Sequence, residues 1–483
     1  MAGERQSELL LKSTRVPVIE YTSSPHEDLP IRERLALTQF QEAVRASGKV
    51  YVIQKSIPFY PSHVSKKRIE EAARTNPRIF DPYTFVYDAG NNDFATIPYH
   101  THPQLRPYIE SAARFLQEGA RLTQDPILRE YAALRAQNLL DGNYEESEAY
   151  WLESRDETEI DFFAGPYDRY LDGAYNKKFA YGGAVGRLNR VETARRQGLV
   201  NQALDAWQKS GISQFAIVRP RVRIRADDTV TVAGLPADIN MTADSLPCPP
   251  EWRVIHGNKI YLMLPTLIDK FNRVTRPIVR EVIAVNRRMG ITDDSLIEAN
   301  TNLLVYHETM HTVIRRPGDE ERLRDEYSFM NELSASVTGL ALIQETGMPK
   351  RMLDAALAMQ LAIIANEYKA YTAGSKGREA YLKGGLVILN YLHTNHLIYI
   401  DSSGINWNIT ANVYKGFRDL AVALDRIITY DDVNMARRLF DQYGSDEVIK
   451  SLVTAGKRPK SEPPAEDAKL WRNGRDSTAP NTA

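Results

Sequence analysis

The stretch His307-Glu308-Thr309-Met310-His311 carries residue types and a spacing that suit metal-assisted hydrolysis. On an α-helix, two histidines four apart lie one turn apart on one face, where both imidazoles can reach a single ion. Glu308 then stands beside such an ion rather than on it, where a general base for an activated water belongs. A chain of this length and composition would contain His-Glu-x-x-His by chance on the order of once in a hundred. The motif alone is therefore a pointer, and the plain alternative is a helix displaying two exposed histidines. Leu303, Leu304, Val305, Val313 and Ile314 flank it, however, so the helix is at least partly buried, and buried imidazoles need partners.

A tetrahedral catalytic zinc takes three protein ligands and keeps one position open. Glu332, in DEYSFMNELSASVTGLALIQ, lies 21 residues after His311, within reach of a second helix returning across Arg315-Arg316-Pro317-Gly318. Ser334, Ala335 and Ser336 are small enough for two helices to approach closely. Asp325 and Glu326 compete with Glu332 for the same duty, and a solvated helix carboxylate is its plain alternative. His393 and His396 are three apart with no acid between them, His100 and His102 precede a helix, and His26, His63 and His256 are isolated. These read as structural histidines.

The elements that must position these residues follow from patterning. Residues 1–30 read as an irregular N-terminal segment, and Lys49 to Ser56 and Pro82 to Asp88 as short strands rich in β-branched and aromatic residues. Helical periodicity dominates 105–150, with Asp141-Gly142 closing one helix. Gln214 to Gly234 alternates with period two and breaks at Ala226-Asp227-Asp228, which predicts a hairpin. From 265 to 445 the pattern is helical, with breaks at Gly290, Pro317-Gly318, Gly347-Met348-Pro349 and Ser402-Ser403-Gly404. The stretch 455–483 is rich in proline and charge and reads as a disordered tail. The expected fold is α+β and predominantly helical: a mixed lobe with short strands over 31–264 and a helical, zinc-bearing lobe over 265–445, with a cleft between them.

Composition narrows the function classes. The 61 Lys and Arg nearly cancel the 62 Asp and Glu, so no net field favours nucleic acid or an anionic membrane surface. Cys248 is the one cysteine, which excludes an internal disulfide and a thiolate cluster and leaves a plain buried or loop thiol. No stretch approaches the ~20 apolar residues of a spanning helix, and the first residues carry no secretory pattern. The expectation is a soluble, cytoplasmic protein.

Several segments together carry a resemblance. Thr158 to Tyr181 (TEIDFFAGPYDRYLDGAYNKKFAY), PADINMTADS with HGNKIYLMLPTLIDKFNRVTRPI, HETMH, LRDEYSFMNELSASVTGLAL and EAYLKGGLVILNYL are similar, in the same order, to the blocks of the dipeptidyl peptidase III family of zinc metallopeptidases, and most of all to its shorter bacterial-type members. The similarity spans roughly residues 105–445. It implies one zinc per chain, with His307, His311 and Glu332 as ligands and Glu308 as base. It also implies Asp161 as the anchor for a substrate's free amino end and Asn240 as a holder of the peptide backbone. The chain departs from the family pattern in several places. Its histidines have the compact spacing, one residue shorter than in the best-known members. Asn331 and Ser336 stand where the family carries acids, so the groups orienting the histidines are expected elsewhere. Ala243 replaces a second asparagine. Tyr381 replaces an active-site histidine, and its phenol can still donate to an oxyanion, with Tyr306 and Tyr327 as weaker candidates. The expected function is zinc-dependent hydrolysis of a short peptide or another small amide. The competing readings are a zinc hydrolase of a non-peptide small molecule and a binding protein descended from a peptidase.

Overall fold

The computed structural model describes residues 2–21, 26–91, 93–154, 158–213, 219–314, 318–374, 378–430 and 433–455. The expected tail, Arg315 to Pro317 and the start of the expected hairpin at 214–218 lie outside the described residues. The chain opens with helix α1 (Ala2–Ser13) and strand β1 (Val18–Glu20), and then runs into the long helix α2 (Ile31–Ser56). The N-terminal segment is thus not irregular, because β1 finds an antiparallel partner in the central strand, Val18 opposite Ala233.

Lys49 to Ser56 is the last part of α2, not a strand. Val50, Tyr51, Val52 and Ile53 are all buried, so four consecutive positions face neighbours and the local pattern shows no 3.6-residue stripe. Burial against neighbours overrides the local β preference. The close approach of α2 to the sheet also depends on Gly48, where a Cβ would fall 3.0 Å from the Cβ of Ala233. Strands β2 (Thr84–Gly90) and β3 (Asp93–Pro98) form a hairpin as patterned. Helices α3 (Arg106–Leu122), α4 (Pro126–Asp141) and α5 (Tyr144–Glu153) follow, α4 ending at Gly142 in the left-handed conformation.

The main sheet comprises β4 (Ile160–Asp168), β5 (Ala180–Leu188), β6 (Val222–Gly234), β7 (Ala243–Leu246) and β8 (Asn258–Met263), with helix α6 (Arg190–Ser210) between β5 and β6. Its order is β4-β5-β6-β8-β7, and β1 adds onto β6. No hairpin forms at Ala226-Asp227-Asp228, and β6 runs straight through. Asp227 is completely buried on Arg225 Nε at 2.8 Å and on the Tyr261 hydroxyl at 2.7 Å, so its carboxylate is held inside the sheet instead of capping a turn.

This sheet separates two apolar cores. On β8, Ile260 and Leu262 face one core while Tyr261 and Met263 face the other, the alternation expected of a strand covered on both faces. One core gathers α2 to α5 and β2 to β5. The other gathers α6 with a helical array: α7 (Asp293–Ile314), α8 (Asp319–Leu323), α9 (Tyr327–Glu345), α10 (Lys350–Thr372), α11 (Glu379–Thr394) and α12 (Thr410–Tyr430). The protein is predominantly helical α+β, as patterned. Among the described residues no helix is long and apolar enough to cross a membrane.

Candidate metal centre and cleft

His307 and His311 project from α7 toward Glu332 on α9. The two Nε2 atoms are 3.0 Å apart, and Glu332 Oε2 lies 3.2 Å from His307 Nε2 and 3.5 Å from His311 Nε2. The helices cross closely at Gly339, where a Cβ would stand 3.3 Å from that of Tyr306. His311 is 3% and Glu332 5% exposed. Burial alone would raise the Glu332 carboxyl, but His311 and His307 override it and hold the group well below the usual carboxylate range.

The three donors suit a divalent cation. Zinc bonds of about 2.0–2.1 Å at tetrahedral angles separate neighbouring donor atoms by ~3.3–3.4 Å, and the observed separations of 3.0, 3.2 and 3.5 Å bracket that value. Glu332 Oε2 is buried without a hydrogen-bond donor, as expected of an oxygen directed at an ion. The group orienting His307 is Ser336, one turn beyond Glu332 on α9, with its Oγ 3.1 Å from His307 Nδ1. A proton on Nδ1 shared with Ser336 leaves the Nε2 lone pair facing the trio. Orientation was expected from elsewhere; for His307 the serine in the acid's place makes the contact.

Glu308 follows His307 on α7 and is buried, and its carbonyl accepts from Ser245 Oγ at 3.3 Å. Tyr381, on α11, meets the Tyr170 hydroxyl at 2.6 Å. Burial, then the charge of Glu332 and that of Glu308, push the Tyr381 phenol well above its ordinary value, so it stays protonated and able to donate. Tyr170 stands in the Gly-Pro-Tyr block whose tail is Tyr-x-Asp, and the sequence reading gave it no role. The alternatives for Tyr381 are placed differently: Tyr306 is buried in the helical core and Tyr327 lines the cleft cavity. Of the competing acids, Glu326 pairs with Arg437 at 3.4 Å and Asp325 lines the cavity.

Beside these residues is a second group that the sequence reading missed. Asp168, Asp244 and Cys248 each offer a ligand-type atom, all within 4.8 Å of one another, and Cys248 Sγ lies 3.5 Å from Asp168 Oδ1. Asp244 is 7% exposed, and its Oδ2 has no hydrogen-bond partner. Burial, then Asp168 and Glu308, push its carboxyl well above the usual range against the pull of Arg253. Arg253 directs donors to backbone carbonyls, to Ser245 O at 2.6 Å, to His311 O at 3.4 Å and to Pro247 O. It thus ties the segment after β7 to the histidine helix.

Asp161 is not brought to the trio. It is 3% exposed, and its carboxylate accepts from Trp151 Nε1 at 3.0 Å and lies 3.5 Å from Arg225 Nε and 3.7 Å from Lys259 Nζ. Those groups already neutralise it inside the sheet. Asn240 sits at φ 53 between a short helical turn and β7, its carbonyl receiving Lys270 Nζ at 3.2 Å; Ala243 pairs with Leu262 on β8. His63, His102 and His256 have structural partners in Asp88, Tyr87 and Glu153. A cavity of about 1510 Å³ lies between the two halves, lined by Tyr170, Asp172, Lys177, Glu320 and Tyr327 among others. Tyr170 lines this cavity and also meets Tyr381, while none of the trio is among the cavity's lining residues.

No family model matches the chain. Nudix hydrolase 3 of Arabidopsis thaliana is 25% identical over 329 residues, which are 63% of this chain; the chain spans only 40% of that relative's length. Two solved structures share the fold. Dipeptidyl peptidase III from Caldithrix abyssi superposes with a TM-score of 0.73 at 18% identity, covering 90% of this chain and 94% of that one. Dipeptidyl-peptidase III from Corallococcus sp. strain EGB gives 0.76 at 19%, with 89% and 92% covered. The chain has the dipeptidyl peptidase III fold.

Proposed function

We propose that this protein is a metallopeptidase acting on short peptides, with one zinc ion held by His307, His311 and Glu332. The observation that carries the reading is the convergence of two imidazole nitrogens and a buried carboxylate oxygen at tetrahedral spacing, beside a glutamate and a protonated phenol. A zinc ion held there would polarise the scissile carbonyl and acidify water. Glu308 takes a proton from the attacking water and returns it to the leaving nitrogen. Tyr381, kept neutral by its surroundings, donates to the developing oxyanion, and Tyr170 fixes the direction of that phenol from 2.6 Å.

The anchoring of a substrate's ammonium group passes from Asp161, which is already neutralised, to the Asp168 and Asp244 pair. A buried carboxyl group with an acceptor oxygen left over suits a cation that arrives with the substrate. Asn240 remains the proposed holder of the peptide backbone, its own carbonyl receiving Lys270 Nζ and its neighbours Asp238 and Ile239 lining the cavity. The test is a panel of tri- to hexapeptides with free and acetylated N-termini, assayed on protein of known metal content. Release of N-terminal fragments only from free-amine peptides supports the reading. Cleavage indifferent to acetylation removes the amine anchor, and failure to cleave any peptide removes the peptidase.

A further inference from the structure

The two helices that supply the trio are joined through α8, and α8 makes a contact that the proposed chemistry does not use. Glu320 on α8 pairs with both Arg169 and Lys177, which come from the β4–β5 loop in the other half of the molecule. All three side chains are largely withdrawn from solvent. Burial works against the charge on Glu320, yet Arg169 and Lys177 hold its carboxyl below the ordinary range.

The loop is built to present those two cations together. Asp172 accepts from the backbone amides of Ala174 and Tyr175 through one oxygen and of Lys177 and Lys178 through the other, with the Tyr60 hydroxyl at 3.1 Å. Lys178 Nζ then fastens the loop to Ile79 O and Asp81 O, both at 2.7 Å. Arg169 also stacks over Phe179, 4.9 Å from the ring centroid. A loop tied down in this way is stiff, so its position relative to the helical half is set by what grips its cationic side. Arg169 lies between Asp168 and Tyr170 in the chain, so that grip acts on the residue proposed to anchor the substrate's amine and on the one that directs the Tyr381 phenol. On the other side, α8 turns into the 3-10 turn before α9 at Arg324, whose φ of 50 is a conformation L-residues rarely adopt. The link between the trio's helices is thus held in a strained turn, and Glu320 sits just ahead of it.

We infer that Glu320 is a positioning residue: its clasp on Arg169 and Lys177 sets the register between the loop carrying Asp168 and Tyr170 and the helices carrying the trio. The inference rests on the peptidase reading for its catalytic consequence, but its physical content can be measured separately. In metal-loaded full-length protein, Glu320→Gln removes the charge and keeps the shape. Amide hydrogen exchange should quicken in 169–178 and 319–326 while metal content stays at the wild-type level. The specificity constant should fall roughly ten- to hundredfold, mainly in kcat. The swap K177E/E320K, which lets the new glutamate meet Arg169 and the new lysine, should recover most of the exchange protection and the rate. Unchanged exchange and rate in Glu320→Gln would overturn the inference, as would loss of metal in step with faster exchange, since Glu320 would then be building the trio itself. If wild-type protein cleaves no peptide while Glu320→Gln still speeds exchange with metal retained, the clasp stands and only the peptidase reading falls.

Discussion

Ser336→Ala isolates the contact that orients the metal trio. The serine Oγ lies 3.1 Å from His307 Nδ1 and leaves Nε2 facing Glu332 and His311. Alanine removes the partner without adding bulk, so the imidazole can rotate about its bond to Cβ and Nδ1 loses its protein acceptor. A neutral hydrogen bond of this kind has a net value of about 1 kcal/mol, and removing an outer partner of a metal-ligating histidine typically weakens the metal ~10–100-fold. Because serine is a weaker acceptor than a carboxylate, the expectation sits at the low end, about tenfold, or ~1.4 kcal/mol. The assay is competition for zinc against a chromophoric chelator of known affinity, on protein whose circular dichroism matches wild type. Affinity within twofold of wild type would refute the claim that Ser336 orients His307. Complete loss of binding in a folded variant would show that Ser336 does more than orient.

Tyr381→Phe keeps the ring and removes the donor, so kcat should drop roughly 10²–10³-fold with metal content and KM little changed; a loss confined to KM would make the phenol a binding group. Asp244→Asn separates stability from function. A carboxyl raised above its unfolded value of ~3.9 opposes folding increasingly as pH climbs from that value through its folded value, because the unfolded chain releases the proton first. The amide should therefore raise the melting temperature at pH 7 to 8 by a few degrees while raising KM for free-amine peptides, and equal melting temperatures across that range would show that no raised carboxyl was there. Asp161→Ala removes the acceptor of Trp151 Nε1 and one of the groups facing Arg225 and Lys259, while Arg225 keeps Asp227, and should cost about 1–3 kcal/mol in urea unfolding. The folded fraction should keep its KM for free-amine peptides, and a selective rise in that KM would return the amine anchor to Asp161.

What the sequence made legible was short-range. His307, Glu308 and His311 are related by helix periodicity, and Glu332 follows at a separation that one reversal of direction can bridge, so type and spacing pointed to the convergence of His307, His311 and Glu332, with Asp325 and Glu326 left as competitors. The helical half was legible because its breaks fall at glycine and proline. The β-branched run at 49–56 misled because its four consecutive apolar residues, Val50 to Ile53, are all buried and show no stripe. Asp168 was hidden for a different reason. It shares β4 with Asp161, and the register shift between Pro166 and Asp168 marks a bulge, which re-aims side chains; no count along the chain reveals that. Asp244, in β7, and Cys248, just after it, join Asp168 across the molecule although β4 and β7 lie at opposite ends of the sheet order, a contact that no local pattern predicts. Ser336 looked like a lost acid, and only the 3.1 Å contact with His307 gives it a role.

The account depends most directly on metal bound by three named side chains. Elemental analysis of purified, zinc-dialysed wild type and Glu332→Gln, run side by side, tests it. About one zinc per chain in the wild type and well under a tenth of that in the variant is the predicted result. Equal zinc in both proteins, or none in the wild type, would contradict it.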